Sequence, residues 1–263
     1  MTEPVIELHD VSLTFGGVTA LRNVDLDLRE GELLALIGPN GAGKTSIFNV
    51  ISGVYRPDSG AVRHRGQDLR RTRPPARTEL GIARTFQNLE LFPLLTVVEN
   101  ILTGRHRHLR SGFITGGLWF GRARTEEAEA RLRAEEIIEF LDLEAYRHDP
   151  VSSLPYGIQK RVELGRALAS DPQVLLLDEP VAGMNSEETE DLGRLILDIK
   201  EELDVSLLLV EHDLRVVMDL ADRVAVLNFG QMLAIDTPES VQENDAVIEA
   251  YLGPALRDRV DHV

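Results

Sequence analysis

The stretch Gly38-Pro39-Asn40-Gly41-Ala42-Gly43-Lys44-Thr45-Ser46 follows the apolar run 32–37 and precedes an apolar segment, 45–52, that stops at Gly53. Its first eight residues fit the pattern G-x-x-x-x-G-K-[ST]. The flanks are those the pattern requires. A short continuous apolar run reads as a strand buried on both faces. A helix follows, with glycine just past its last turn as a stop signal. Glycines let successive backbone N–H groups turn inward around an anion, and the helix N-terminus adds positive potential there. In such a loop Lys44 reaches the β- and γ-phosphates of a nucleotide, and the Thr45 hydroxyl coordinates Mg²⁺. MgATP binding over residues 38–46 is the expectation.

A second site follows in sequence. Val174-Leu175-Leu176-Leu177-Asp178-Glu179 is an apolar strand that ends in two acids. Ligands of parallel sheets bind beyond the carboxyl ends of the strands, which puts Asp178 and Lys44 at the same edge. Asp178 is then the carboxylate on the Mg²⁺ side, and Glu179 the general base for an attacking water. The next apolar strand, 205–210, ends in Glu211-His212-Asp213. His212 falls in the same crevice and reads as a sensor of the γ-phosphate.

The rest of the chain supports an α/β fold. Residues 4–31 read as strands; Val24, Leu26 and Leu28 alternate with Asp25, Asp27 and Arg29, the sign of a half-buried antiparallel strand. Residues 54–84 are rich in Pro, Gly and Arg and are expected to return to that sheet and then loop. Helices are expected at 96–106 and 125–141, the second capped by Thr125 and supported by Glu127/Arg131 and Glu129/Arg133 at i, i+4 spacing. Residues 107–124 read as an insertion. Beyond 157 helices (158–169, 187–203, 213–221) alternate with strands (174–178, 205–210, 223–228), the order of a parallel sheet with crossover helices. Phe229-Gly230 reads as a hairpin turn into 231–235. Two short helices follow, about 238–243 and 245–252, and the final ten residues read as a loose tail.

Composition sets the limits. The 263 residues bury a core easily. With no Cys, disulfides, thiolate metal sites and Cys nucleophiles are excluded. No apolar run nears the roughly 18 residues of a membrane helix, and the start Met-Thr-Glu-Pro lacks the order of a signal peptide; a cytoplasmic protein able to dock on a membrane partner is expected. The net charge of −16 is uneven: residues 1–150 carry 19 basic and 21 acidic groups, residues 151–263 carry 9 and 23. Nucleic-acid binding needs a basic footprint. Only Arg63, Arg65, Arg70, Arg71, Arg73 and Arg77 cluster, without interleaved aromatics, and they read as a solvated face. Nucleic acid is not an expected partner.

Taken together, the glycine loop, Asp178-Glu179 and His212 resemble the nucleotide-binding subunit of ABC transporters, over about residues 4–253. That resemblance implies an α/β P-loop NTPase core with a mostly parallel sheet, an N-terminal antiparallel β subdomain and an inserted helical subdomain. It divides the chain into 1–87 and 171–253 for the core and antiparallel strands, 88–170 for the helical subdomain, and 254–263 for the tail. It assigns Gln87, in Arg84-Thr85-Phe86-Gln87-Asn88, to a loop that joins the subdomains and approaches Mg²⁺ and the attacking water. It assigns Phe15 to stacking on adenine, a core aromatic being the other reading. Leu154-Pro155-Tyr156-Gly157-Ile158 stands where the family has a signature loop, commonly L-S-G-G-Q, that contacts the γ-phosphate held by the opposite subunit. Three of the five positions differ, and Pro155 brings neither a hydroxyl nor an N–H; Tyr156, Gly157 and the start of the following helix remain as contacts. Ala182-Gly183-Met184-Asn185 stands in the place of the dimer-contact loop, with Asn185 for the usual Asp.

L-x-Y-G followed by x-Q-[RK]-R, the run from Arg84 to Asn100, the insertion 107–124 and Glu249-Ala250-Tyr251-Leu252-Gly253 are similar to one branch, the importers of branched-chain and other hydrophobic amino acids. The resemblance implies a second ATPase subunit, two membrane permease subunits and a periplasmic or extracellular solute-binding protein, with this chain peripheral on the cytoplasmic side of the inner membrane. Leu89, Leu91, Phe92 and Leu94 are candidates to receive a permease helix, with hydrophobic core as the other reading. Alternatives are the ATPase of a urea or short-amide importer, a soluble ABC ATPase outside transport, and a P-loop kinase. The last leaves Gln87, Glu179 and His212 without a joint role.

Overall fold

The computed structural model describes residues 4–85, 90–105 and 122–252. The chain opens with a hairpin, β1 (Pro4–Phe15) and β2 (Val18–Arg29), and enters the core as β3 (Leu33–Ile37), followed by α1 (Lys44–Ser52). β4 (Ser59–His64) and β5 (Gln67–Asp68) return to the hairpin, and α2 (Pro74–Glu79) leads to β6 (Ile82–Arg84). Then come α3 (Val97–Gly104), α4 (Arg122–Phe140) and α5 (Tyr156–Leu168). The alternating part is β7 (Val174–Asp178), α6 (Ser186–Glu202), β8 (Ser206–Val210), α7 (Leu214–Leu220) and β9 (Arg223–Asn228). It closes with β10 (Gln231–Asp236), α8 (Pro238–Gln242) and α9 (Asp245–Leu252).

The strands form two sheets. The first is antiparallel, in the order β2-β1-β4-β5. The second runs β10-β9-β3-β8-β7-β6; all its neighbours are parallel except β10, which pairs antiparallel with β9. The α/β expectation therefore holds, with a mostly parallel second sheet.

β3, β7 and β8 are buried at every residue, which is why they read as continuous apolar runs. Alternate side chains serve different layers. Leu34, Leu36, Leu176, Leu208 and Val210 pack with α1 and the antiparallel sheet. Leu33, Leu175, Leu177, Leu207 and Leu209 pack with residues of α3, α4, α5 and α6. The second sheet is the middle layer, and its strand ends form the edge on which the loops converge.

Three local expectations need correction. Residues 74–84 hold a short helix and a parallel edge strand rather than a loop: Pro74 and Pro75 start α2, where a missing N–H costs nothing, and β6 pairs with β7. The fourth helix starts at Arg122, three residues before Thr125. Within it Arg131 pairs with Glu127 as expected, at 2.9 Å, but Arg133 pairs with Glu136 and Asp171 instead of Glu129.

The third correction concerns Arg77, which is no part of a solvated face. It is 2% exposed. Its guanidinium donates to the carbonyls of Val50 (2.5 Å), Ile51 (2.7 Å), Leu69 (2.7 Å) and Thr72 (3.1 Å). Val50 and Ile51 lie in the last turn of α1, so a buried cation closes the negative end of the helix that the glycine loop begins. Burial pulls the Arg77 pKa down to about 10. Arg63, Arg65 and Arg70 are exposed and pair with Glu7, Glu30 and Asp68.

Candidate functional site

Register brings the sequence motifs together. Leu36 of β3 is level with Val210 of β8, and Val210 is level with Asp178 of β7. Three adjacent parallel strands therefore end at one height. The glycine loop leaves the first, Glu211-His212 the second and Asp178-Glu179 the third. Neighbouring strands lie about 4.8 Å apart, so the three loops share one crevice.

The glycine loop has the backbone the pattern demands. Gly38, Gly41 and Gly43 all have positive φ (155°, 79° and 110°). A Cβ on Gly38 would strike the carbonyl oxygen of Leu227, and one on Gly43 would lie 2.7 Å from the carbonyl oxygen of Ala20. A Cβ on Gly41 would meet nothing within 4 Å, so the loop is packed from behind and open in front. The Phe229-Gly230 turn braces it: Gly230 N–H donates to Ala42 O, and Arg22 N–H donates to Gly230 O, both at 2.8 Å. Lys44 Nζ donates to the carbonyls of Gly38 (2.6 Å) and Pro39 (3.3 Å). Burial lowers the Lys44 pKa, opposed by the negative charges of Glu179 and Asp178, so the three predicted groups act on one another across the crevice.

Asp178 is 2% exposed. Arg84 on β6 holds it at 2.7 Å and also donates to Asn49 Oδ1 of α1 at 2.6 Å. Glu179 follows in a left-handed conformation, φ 49°. For a residue with a Cβ this costs about 1–2 kcal/mol, and such strain persists only where the surroundings hold it. His212 Nδ1 lies 3.9 Å from Glu179 Oε1 and 3.9 Å from Glu211 Oε2. The predicted base and sensor are therefore neighbours. Glu211 beside His212 is 1% exposed, a burial that its sequence neighbours do not signal.

Phe15 is 43% exposed and meets Tyr55 edge-on, ring centroids 4.9 Å apart. This favours an open aromatic surface over a core role for Phe15. Tyr55 lies just after α1, and no spacing rule in the sequence links it to Phe15. Tyr156 begins α5 and is half-exposed; its ring faces Gly183, and Lys160 Nζ lies 5.9 Å from its centroid. Gly157 is buried against α6, where a Cβ would come 2.9 Å from Glu188 Oε1. Asn185 caps α6: its side chain accepts from Glu188 N–H, and the Glu188 carboxylate accepts from Asn185 N–H, both at 3.0 Å. Asn and Asp serve equally at such a cap, which accounts for the residue at this position.

Gln87 and Leu89 lie outside the described residues, as do the tail 254–263 and most of the insertion 107–124. Of the apolar residues beyond Gln87, Leu91 packs against the core, while Phe92 and Leu94 are exposed. Phe92 lines a cleft of about 710 Å³ together with Val54, Leu102 and Arg166.

The donors present fit a nucleotide with a hard cation. The loop offers backbone N–H groups at a helix N-terminus on its open side, and Thr45 and Asp178 offer oxygen ligands. Among the described residues no three His, Asp or Glu side chains gather as a metal cage.

Comparison with known proteins agrees with this arrangement. The family model described as "ABC transporter" matches residues 21–182, and that described as "Branched-chain amino acid ATP-binding cassette transporter" matches residues 231–253. The chain is 40% identical over 255 residues to the high-affinity branched-chain amino acid transport ATP-binding protein BraF of Pseudomonas aeruginosa, covering 97% of this chain and 100% of that one. It has the same identity and coverage with LivG of Escherichia coli. Among solved structures, an ATP-binding cassette of an ABC transporter in its ADP conformation superposes with a TM-score of 0.84 at 30% identity, over 96% of this chain and 100% of that one. A dimeric cassette in a post-hydrolysis state bound to ADP and Pi gives a TM-score of 0.74 at 27% identity, over 89% and 98%.

Proposed function

The chain belongs to the ABC transporter family of ATP-binding cassettes, and we propose that it is the ATP-hydrolysing subunit of an importer for branched-chain or other hydrophobic amino acids. The observation that carries this reading is the common height of the β3, β8 and β7 ends, which gathers the glycine loop, His212 and the Asp178-Glu179 pair. The cargo class rests on the relatives' function and on the match at 231–253.

In this proposal the N–H groups of the glycine loop and Lys44 hold the phosphates of ATP, and Phe15 with Tyr55 takes the adenine. Thr45 and Asp178, with Gln87, hold Mg²⁺, which when bound neutralises charge on the transferring phosphoryl group. Glu179 accepts a proton from the attacking water. The water oxygen bonds to the γ-phosphorus, the bond to the β–γ bridging oxygen breaks, and ADP and phosphate result. His212 hydrogen-bonds the γ-phosphate as negative charge shifts.

Two ATPase subunits close on ATP, and Tyr156, Gly157 and the start of α5 reach the nucleotide on the opposite subunit. Binding drives closure because the γ-phosphate contacts both faces only in the closed state; release of phosphate removes that differential affinity. Residues 88–170 act as a helical subdomain between this core and the membrane partners. Exposed Phe92 and Leu94, with the cleft that Phe92 lines, receive a segment of one of two permease subunits, which a solute-binding protein loads from the other side. The chain is then peripheral on the cytoplasmic face of the cell membrane. Among the described residues no helix is long and apolar enough to cross a membrane.

The test is uptake of radiolabelled leucine by cells lacking this gene. Wild type restores uptake and Glu179→Gln does not. Uptake that is indifferent to loss of the gene would overturn the cargo assignment.

A further inference from the structure

Glu211 has a buried carboxylate that the reaction scheme above leaves unused. It follows β8, one position before His212, and is 1% exposed. Burial raises its pKa, against the pull of the backbone N–H groups around it. A carboxyl group is retained in such a place only where its oxygens are satisfied. Here Oε1 accepts from Val181 N–H at 3.2 Å, and Oε2 accepts from His212 N–H at 3.0 Å.

The two donors belong to different loops. Val181 lies two residues beyond Glu179, in the turn that carries Glu179 at φ 49°. Within that turn Ala182 N–H bonds Glu179 O at 3.2 Å, and Met184 N–H bonds Val181 O at 3.1 Å. Glu179 N–H bonds Val210 O at 2.9 Å, which fixes its entry from the β8 side. The Glu211 bond fixes its exit. The same carboxylate holds the start of the His212 loop, and the imidazole stands 3.9 Å from both carboxylates. One side chain therefore ties the strained turn of the base to the loop of the phosphate sensor.

We infer that Glu211 is a positioning residue for hydrolysis: its buried carboxylate clamps Val181 N–H and His212 N–H together and so holds Glu179 and His212 in mutual register. The inference rests on the roles proposed for Glu179 and His212. A clamp on the base and sensor acts on the chemical step and changes nucleotide binding little, because the glycine loop and the Phe15–Tyr55 pair supply most of the proposed nucleotide contacts. Displacement of a reacting group by about 1 Å can cost on the order of 10²-fold in rate.

The experiment compares wild type, Glu211→Gln, Glu179→Gln and the double variant. It measures phosphate release from [γ-³²P]ATP and the Kd of a fluorescent ATP analogue. Gln keeps the size of Glu but offers one acceptor oxygen, so one of the two N–H groups faces a donor. Glu211→Gln is expected to lower kcat about 10- to 100-fold, with KM and Kd within twofold of wild type. In the Glu179→Gln background the same change should cost less than threefold, because register between base and sensor no longer matters once the base is disabled. If Glu211→Gln does not fold, Glu211→Asp, which keeps the charge and shortens the reach, gives the same kcat-only loss. Wild-type kcat in a folded variant, an equal loss in both backgrounds, or a loss confined to KM and Kd overturns the inference. Should Glu179→Gln itself turn over at the wild-type rate, the proposed base is wrong, a failure separate from that of the clamp.

Discussion

Arg84 and Asp178 form an ion pair between adjacent parallel strands, 2.7 Å apart and almost wholly buried, with the same guanidinium bonded to Asn49 of α1. The arginine also lies 5.5 Å over the ring of Phe48. The carboxylate proposed for the metal side of the site is therefore already partnered by the edge strand that leads towards Gln87. Removing one member of a buried pair leaves an uncompensated charge and costs about 3–5 kcal/mol. Arg84→Met is expected to lower the thermal midpoint by roughly 6–20 °C in the nucleotide-free protein. Scanning calorimetry with and without ADP and Mg²⁺ checks this. An unchanged midpoint would show that the pair contributes little.

Arg77 predicts a second stability effect. Arg77→Met removes the Arg77 donor of Ile51 O and one of the two donors of Val50 O, which still accepts from Gly53 N–H at 3.3 Å, at about 1–3 kcal/mol for each buried group left unsatisfied. A loss of about 1–3 kcal/mol in unfolding free energy, read from urea unfolding curves, is expected. Gly53→Ala should act on the same contact: Gly53 has φ 83°, and a Cβ would lie 2.7 Å from Arg77 Nε. The two losses should then be less than additive.

His64 predicts a pH dependence. It is buried in the antiparallel sheet, and its Nε2 has no hydrogen-bond partner among the described residues. Burial, and secondarily the Arg65 charge, push its pKa below the ordinary 6.5. The unfolded chain then binds a proton that the native state refuses. Stability from neutral His64 is fully present above about pH 6.5 and is lost as pH falls towards the native pKa. His64→Leu should gain stability relative to wild type between pH 7.5 and pH 5, read from urea midpoints. A pH-independent difference would contradict this.

Gly157 predicts a link between α5 and α6. Gly157→Ala pushes a methyl group towards Glu188, whose carboxylate closes the Asn185 capping box. A loss of about 1 kcal/mol is expected, the usual worth of a cap. Glu188→Ala should remove most of the additional penalty in a double-mutant cycle. Full additivity would show that the two do not communicate.

The sequence exposed what depends on local pattern. Leu33–Ile37, Val174–Asp178 and Ser206–Val210 were legible because strands buried on both faces are continuously apolar, and the glycine loop because its backbone tolerates few other residues. What stayed hidden depends on partners distant in the chain. β6 is three residues long and is a strand only because β7 lies beside it. Arg77 reads as one more exposed cation until the carbonyls of α1 are placed around it. Glu211 looks like an acid beside a histidine; one of its hydrogen-bond partners, Val181, lies thirty positions earlier. Asn185 and Glu188, by contrast, had a readable signature in their N-x-x-E spacing.

The central claim is that ATP held by the glycine loop is hydrolysed through Glu179. Its most direct test is purified Glu179→Gln with MgATP, followed by phosphate release and sedimentation. The account predicts that ATP remains bound and holds two subunits together while turnover falls about 10²–10⁴-fold, the range for loss of a general base. Phosphate release at the wild-type rate would contradict it.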